Sequence, residues 1–585
     1  MLAKNPIVSQ EKDNNNSNEI IDILCGECDS QCSENECLNE TNSQDDIIKK
    51  MPQGEGYCYH LGILIFAPFF KKLRKKGIEF ILQWLISILL GAKNIEQTKQ
   101  INYASLNMII DKSIKSQKLQ RATIKKHTND DNINKLLAFN MEIVDVANCQ
   151  DYYYDPHTKH YTGMRKILKG WCAKIKMPGK VVNMDFIHTS KGYPVYIGVD
   201  DNYDDMRVRF FRQTEEFREI GNIPQEKTLT YIVDRGIFSQ EVFDQVINTD
   251  NLHLITWEKD YKNDKWDKQA TTYKGSIVRY RNNKDDNYFI NYEYQQNQWA
   301  QNSKIRQLIV RISRYKEKKY TEVSILTDDI HRNGNEIVFC MFNRWIQEND
   351  FKYLIDHFGI DQITSYDYFD YHEIKDLLED KEYISGEYKA AHKEVEQLRR
   401  YLKTALYKLH RMRKTKKRKK YTAKEIEKKN NLKKQIKELS DQYEIKETQR
   451  NEIQKYVSKI EELVNNNTEK LCPDVKRMMD ITKMIARNIF YLTFEPFRLD
   501  YNNYRDDLMI FRELSRAHGM IRKNKYGNLD IDLHTIMELT PKMRKVFNNI
   551  LNNINAQDIV MPNCNETKIS LKLNENIDSF FAFSS

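Results

Sequence analysis

The sequence predicts a mixed α/β core with a strand-rich insertion. A helical region precedes this core, and a coiled-coil hairpin and a small α+β region follow it. Three observations predict this. Short runs of β-branched and aromatic residues, bounded by turn signals, recur between about 141 and 385. Apolar residues keep a 3-4 spacing over two long stretches after 386. Near the beginning, Leu61 to Phe70 and Ile78 to Leu90 are strongly apolar, yet each is too short to span a bilayer. Lys71, Lys72, Arg74, Lys75 and Lys76 lie between them, so two packed helices are expected and no membrane contact.

The chain has 585 residues, enough for several domains with large cores. Its net charge of +9 is unevenly spread. The first 50 residues hold four Lys against eleven Asp and Glu, about −7, which leaves about +16 for the rest. A basic body with an acidic tail suggests a polyanionic partner. Ten scattered Cys make no disulfide framework, and the first twenty residues are too polar for a signal peptide. A reducing, cytoplasmic setting is expected, with nucleoid association if the polyanion is DNA.

Residues 1–53 read as a disordered acidic tail. Cys25, Cys28, Cys32 and Cys37 within it are spaced closely enough to hold zinc, but their pattern is not that of a paired knuckle and no apolar residues surround them. Residues 54–140 read as a basic helical region. Residues 141–385 read as the α/β core. There, Tyr152-Tyr153-Tyr154 ends a strand-like run at Asp155. Val181 to Ile187 and Pro194 to Val199 follow as strands around the turn signal Lys191-Gly192. A helical stretch from Thr214 to Ile220 leads to the strand Thr228 to Val233, which stops at Asp234-Arg235-Gly236. Three strands, a helix and a fourth strand open a ribonuclease-H-like sheet, and other mixed α/β folds as well. The stretch from about 237 to 320, with Trp257, Trp266 and Trp299, reads as an insertion before the strand Thr321 to Leu326.

Asn335 to Phe358 reads as one amphipathic helix whose apolar face gathers Ile337, Met341, Trp345, Phe351, Ile355 and Phe358. Arg344 and Glu348 fall on that face, one turn apart. A guanidinium and a carboxylate inside an apolar stripe are costly unless they have a task, catalytic or structural. Residues 386–466 read as the coiled coil. One helix carries Val395, Leu398, Leu402, Ala405, Leu409 and Met412. The other carries Ile436, Leu439, Tyr443, Ile453, Val457, Ile460 and Val464. Between them, 411–420 holds eight basic residues in ten, among them Arg413, Lys414, Lys416, Lys417, Arg418, Lys419 and Lys420. Such a run is either a solvated tip or a phosphate contact, and the basic body favours the second. Residues 467–585 read as an α+β region with two short alternating strands, 529–533 and 569–573.

Asp155, Asp234 and Glu348 suit one chemistry together. Phosphodiester cleavage needs an activated oxygen nucleophile and a stabilised leaving oxyanion, and two Mg²⁺ ions on three carboxylates supply both. Mg²⁺ takes hard oxygen ligands and keeps several waters; Mn²⁺ can replace it. Asp155-x-His157-x2-His160 has the donor types of a zinc site but no fourth ligand at a recognisable spacing, so a phosphate contact or an orienting hydrogen bond suits His157 better.

These residues resemble the cut-and-paste insertion-sequence transposases of the DDE class. One branch carries a Tyr-x2-Arg-x3-Glu-x6-Lys signature; here Arg344-x3-Glu348 matches, with Met341 and Ile355 in the outer positions. The run from Arg344 to Tyr353 is similar to the Arg-Trp-x-Gln-Glu-Asn-x-Phe-x-Tyr form of one bacterial set. Asp155-Pro156-His157, Tyr161-Thr162-Gly163, Asp234-Arg235 and the Leu-x-Ile-x-Leu-His of 529–534 stand where that set has related motifs. The resemblance implies a ribonuclease-H-like catalytic core, with Asp155, Asp234 and Glu348 as catalytic metal ligands. It also implies DNA contacts from Arg344, His157 and Arg235, double-stranded DNA as partner at element ends and target, and a homodimer on DNA. Two other readings stand beside it: a non-catalytic DNA-binding or scaffold protein derived from a transposase, and a coiled-coil structural protein.

Overall fold

The structure, a computed structural model, describes residues 55–574. Segments 104–105, 107–109, 111–113, 173–175, 201–204, 263–264, 281–286, 314–319, 363–366, 379, 416–420, 502–506 and 563–566 are not among the described residues. The acidic tail, its four cysteines and residues 416–420 of the basic run therefore lie outside them.

The first elements are strand β1 (Glu55–Cys58) and helices α1 (Ala67–Lys75), α2 (Leu82–Leu89), α3 (Gln117–His127) and α4 (Asp130–Val144). The sheet region follows with β2 (Asp151–His160), β3 (Lys169–Cys172), β4 (Met177–Thr189), β5 (Pro194–Asp200), α5 (Met206–Ile220), β6 (Leu229–Val233), α6 (Gln240–Ile247) and β7 (Leu252–Trp257). Next come β8 (Tyr273–Tyr280), β9 (Asn287–Trp299), β10 (Asn302–Ser313), β11 (Tyr320–Thr327), α7 (Gly334–Phe342) and α8 (Trp345–Tyr353).

One ten-stranded sheet runs β3-β4-β2-β6-β7-β11-β10-β9-β8, with β5 also on β4. Strands β2, β6 and β7 are mutually parallel; β4 is antiparallel to both β2 and β5, and β7 to β11 are joined antiparallel. The central strands are apolar on both faces, as buried parallel strands must be. Tyr152, Tyr154 and Tyr231 pack with Phe210 and Phe217 of α5. Tyr153, Ile232 and Ile255 pack with Ile337, Val338 and Met341 of α7. Two boundaries differ from the expectation. Strand β2 continues to His160, because β4 pairs along its whole length. The strand-rich addition begins only after β7, since that strand pairs in parallel with β6.

The remaining elements are β12 (Tyr368–Asp370), β13 (Glu382–Ile384), α9 (Gly386–Thr415), α10 (Ala423–Glu452), β14 (Tyr456–Ser458), α11 (Lys459–Asn465), β15 (Glu469–Leu471) and α12 (Asp474–Tyr501). Then come α13 (Asp507–Arg516), β16 (His518–Lys523), β17 (Leu529–His534), α14 (Pro541–Asn555) and β18 (Ile569–Leu573). The hairpin α9–α10 buries Val395, Ala405 and Leu409 along its seam. It stops at Glu452, not near 464. Ile384 and Tyr456 pair in the ribbon β13–β14 at its base, and Ile460 packs under Tyr371 in a separate small core.

The N-terminal and C-terminal regions, read from the sequence as separate, are one body. Strand β1 pairs with β16 in the sheet β1-β16-β17-β18. Gly62 is required there: a Cβ would sit 1.8 Å from the Leu514 carbonyl oxygen. Both early apolar runs are buried in this body; Leu61–Phe66 is a 3-10 turn and Leu82–Leu89 a short helix, each buried throughout. Among the described residues no helix is long and apolar enough to cross a membrane. Helix α12 is the central beam. Asn488 donates to Asn140 Oδ1 of α4 at 2.9 Å and to the Pro194 carbonyl at 2.8 Å.

Beneath β2 lies an ion pair absent from the sequence reading. Arg209 of α5 donates to Asp185 of β4 at 2.7 and 3.2 Å, Gln213 adds 3.1 Å, and Tyr154 Oη donates to Gln213 Oε1 at 2.9 Å. Gly198 leaves room for the amide, since a Cβ would lie 2.4 Å from Gln213 Nε2. Both charges are at most 2% exposed. Asp185→Ala removes the buried carboxylate that Arg209 and Gln213 donate to, and is expected to cost ~3–5 kcal/mol in urea unfolding. Joint replacement, Asp185→Leu with Arg209→Met, is expected to recover most of that loss.

Candidate active site

Register brings the two aspartates together. Tyr154 pairs with Val233 in the parallel ladder β2–β6, and Val233 with Thr256 in β6–β7. The next residue on each strand is Asp155, Asp234 and Trp257. Adjacent strands lie about 4.8 Å apart, so these three stand side by side, Asp234 and Trp257 at the carboxyl ends of β6 and β7 and Asp155 midway along β2. Alternation aims them at the face that holds Tyr153 and Ile232, the face covered by α7 and α8.

From that cover Arg344 reaches both Asp155 and Glu348. Arg344 Nη1 lies 3.5 Å from Asp155 Oδ1, and Nη2 donates to Glu348 Oε1 at 2.7 Å. Arg344 and Asp155 are mostly covered, whereas the Glu348 side chain is 59% exposed. Burial pushes the Asp155 carboxyl up from its ordinary value to about 7, against the pull of Arg344; the negative charges of Asp234, Glu348 and Asp185 push it further. Asp155 thus feels the charge of the other two acids.

The helix over the site is not the single amphipathic helix expected. Asn343 ends α7, and the chain closes through i to i−3 hydrogen bonds, Ile346 N to Asn343 O at 2.9 Å and Gln347 N to Arg344 O at 3.0 Å. A tightened turn advances about 20° more per residue than an α-helix. The accumulated rotation turns Trp345, 39% exposed, and Glu348 outward. It turns Gln347, 0% exposed, and Asp350, 5% exposed, into the core. Ile337, Met341, Phe351 and Phe358 are buried as expected, and Ile355 is partly so.

Gln347 and Asp350 enter a buried chain of hydrogen bonds. Gln347 Nε2 donates to the Tyr153 carbonyl at 3.2 Å and to His188 Nδ1 at 3.0 Å. Because Nδ1 accepts, His188 is the neutral tautomer whose Nε2–H donates to Asp350 Oδ2 at 3.0 Å. Burial lowers the His188 pKa, in keeping with a neutral ring. Asp350 Oδ1 takes Nε and Nη2 of Arg487 at 2.8 and 2.6 Å, and Arg487 Nη2 also reaches the Gly192 carbonyl at 3.1 Å. Gln347 Oε1 is buried without a partner, a cost of ~1–3 kcal/mol. The sequence reading missed these residues. The available signal was an Asp and a His within the apolar strand 181–189, and polar residues flanking Glu348 on both sides.

The other predicted residues divide. His157 lies on β2, and its ring stacks on Phe351 at 5.2 Å with pKa lowered by burial to about 4. Arg235 is exposed, one residue beyond Asp234. Arg413 and Lys414 lie in the last turn of α9, remote in sequence from the acids; Lys416, Lys417, Arg418, Lys419 and Lys420 lie outside the described residues. Trp299 is core, 3% exposed, and donates to Glu258 at 3.1 Å. Trp266 lies under the Arg311 guanidinium at 4.3 Å.

Among the described residues no three His, Cys, Asp or Glu side chains are gathered as a ready-made metal cluster, and the zinc reading of His157 and His160 has no further ligand. The donor chemistry at Asp155, Asp234 and Glu348 nonetheless fits a hard dication. It is all carboxylate, the Asp155 pKa is raised first by burial and further by the charges of Asp234 and Glu348, and a guanidinium already bridges two of the acids.

No protein-family model matches the chain, and no curated protein sequence matches it. Among solved structures it is similar to a piggyBac transposase in a synaptic complex with hairpin DNA, with 9% identity and a TM-score of 0.26. The match covers 48% of this chain and 59% of that one, so the chain spans little more than half of that protein's length.

The raised Asp155 pKa has a measurable consequence in metal-free protein. The folded state holds this proton to about pH 7, while the unfolded state releases it near pH 4. The unfolded chain then binds fewer protons, so stability falls as pH rises between those values and stays flat above them. Asp155→Asn is expected to match wild type below pH 4. Above pH 7 it should be more stable by about 1–2 kcal/mol, after discounting for solvent at this partly exposed group. Thermal melts at pH 3.5, 5.5 and 8 check this.

Proposed function

We propose that this protein is a DNA transposase of the DDE class, with a ribonuclease-H-like core formed by β5-β4-β2-β6-β7 and the helices packed on it. The observation that carries this reading is the parallel pairing of Tyr154 with Val233, which sets Asp155 and Asp234 one residue beyond it on neighbouring strands, with Arg344 joining Asp155 to Glu348. Three antiparallel strands, a helix and two parallel strands, in this order, support the fold part of the reading.

The reaction is hydrolysis of a phosphodiester at an element end. The freed 3′-hydroxyl then attacks target DNA in line, so that one P–O bond forms as another breaks. Two Mg²⁺ ions, or Mn²⁺ in their place, held by Asp155, Asp234 and Glu348 would activate water and neutralise the leaving oxyanion. The protein's own groups do the rest. Asp155 gives up the proton that burial, and to a lesser degree its acidic neighbours, make it retain. Arg344 exchanges its two carboxylates for a phosphate oxygen, to which a guanidinium binds well. Exposed Arg235 stands at the rim for the next phosphate. His157, on the same face of β2 as Asp155 and two residues on, stands about 7 Å away along the strand and can orient the backbone. The basic tip of α9–α10 holds DNA through phosphates, and two subunits serve two element ends.

The second reading is a non-catalytic DNA-binding protein derived from a transposase. Its support is Arg344, which already neutralises Asp155 and Glu348 without a metal. Glu348→Gln separates the two. It is expected to abolish Mg²⁺-dependent nicking of end DNA while leaving DNA affinity intact. Its stability should change by less than about 1 kcal/mol, because Glu348 is exposed and Arg344 keeps Asp155. Wild-type protein that nicks no better than Glu348→Gln would favour the non-catalytic reading.

DNA binding is expected to weaken steeply with salt. Replacing Lys416, Lys417, Arg418 and Lys419 by Gln should flatten the plot of log affinity against log salt by about 0.9 per lost phosphate contact. An unchanged slope means that the tip is merely solvated.

A further inference from the structure

We infer that Gln347, His188 and Asp350 are positioning residues that set the spacing between Asp155 and Glu348. This rests on the catalytic reading of those two acids. The chain of hydrogen bonds begins at the carbonyl of Tyr153, two residues before Asp155 on the same strand. It ends on Asp350, two residues after Glu348 on the same helix. His188 completes the connection from β4, where it is the register partner of Tyr153.

The geometry suits a spacer better than a filler. Gln347 and Asp350 lie three apart, so they form the back of the helical turn whose front carries Glu348. Both are buried, and Glu348 is exposed. An apolar pair would bury more cheaply than a neutral amide, an imidazole and a carboxylate. The polar set adds directional contacts at three points: the Tyr153 carbonyl, the His188 ring and the Arg487 guanidinium. The tightened turn at 343–347 makes such a clamp necessary. It breaks α7 from α8, so the rigidity of α7 is not transmitted to Glu348. Arg487 carries the clamp onward to α12, and its guanidinium lies 4.5 Å from the centre of the Tyr491 ring. Groups behind metal ligands matter because ligand placement within about 0.5 Å governs affinity and rate.

The test uses the full chain and Mn²⁺ as probe, with binding followed by electron paramagnetic resonance in the absence of DNA. Gln347→Leu keeps volume and removes both hydrogen bonds. It is expected to weaken Mn²⁺ binding by about 10–100-fold and lower the cleavage kcat, with DNA affinity unchanged. His188→Gln, which offers one acceptor and one donor, should retain most of the Mn²⁺ affinity, whereas His188→Leu should lose it. A lowered melting temperature with wild-type Mn²⁺ affinity in Gln347→Leu would overturn the inference and leave these residues a purely structural role. If Gln347→Leu does not fold, equal Mn²⁺ affinity in His188→Gln and His188→Leu overturns it instead. Glu348→Gln, measured in parallel, keeps the two readings apart. If it binds Mn²⁺ as wild type does, the catalytic assignment itself has failed. If it loses Mn²⁺ while Gln347→Leu does not, only the spacer has failed.

Discussion

The ion pair between Asp350 and Arg487 ties the molecule's two large parts together. Each partner is at most 6% exposed, and each completes its valence within the fold: Asp350 on His188, Arg487 on the Gly192 carbonyl. A buried pair of this kind contributes little net stability, but loss of one partner is severe, because the other charge remains in the interior. It therefore acts as a constraint. Helix α8 can sit over the sheet in only one way, and α12 in only one way against β5. Lys476 and Lys483 reinforce the same junction, donating to the Gln362 and Gly359 carbonyls at 3.0 and 2.8 Å while sharing Asp480.

Much of the core was legible in the sequence because it follows local rules. The strands at 181–187, 194–199 and 228–233 are bounded by turns and rich in β-branched residues, and the structure has strands there. The seam of α9 follows its 3-4 spacing. The miss at Asn335–Phe358 has a definite cause. A helical wheel assumes 100° per residue, and one tightened turn breaks that assumption without any Gly or Pro to announce it. The same wheel placed Glu348 inside an apolar stripe, whereas the fold presents it to solvent beside Arg344. Asp185, His188 and Arg487 were missed for another reason: their partners are distant in sequence, and a buried polar residue is visible only when its partner is known. The union of the first and last segments into one sheet is a non-local pairing of the same sort.

Charge along the hairpin is also ordered. The first fifteen residues of α10 hold six Lys against two Glu, and the last fifteen hold five acids against Lys446 and Arg450. The seam itself is thin, with no fully buried residue on α10. Ion pairs such as Lys446–Glu394 at 3.0 Å secure the inner end, while the outer end carries an uncompensated positive field. A polyanion is therefore attracted more to the outer half of α10 than to its inner half.

The pairing of β1 with β16 also constrains how the protein is made. His60 N–H donates to His518 Nδ1 at 3.2 Å, across a separation of 458 residues. At roughly 5–20 residues per second, the ribosome needs about 20–90 s to deliver the second partner after the first. Throughout that interval Leu61 to Phe66 and Leu82 to Leu89 await the helices and strands that will cover them. The nascent chain thus carries these apolar segments without their cover until β16 to β18 have been made. An incomplete chain lacks the β16–β18 edge and cannot shield its own beginning.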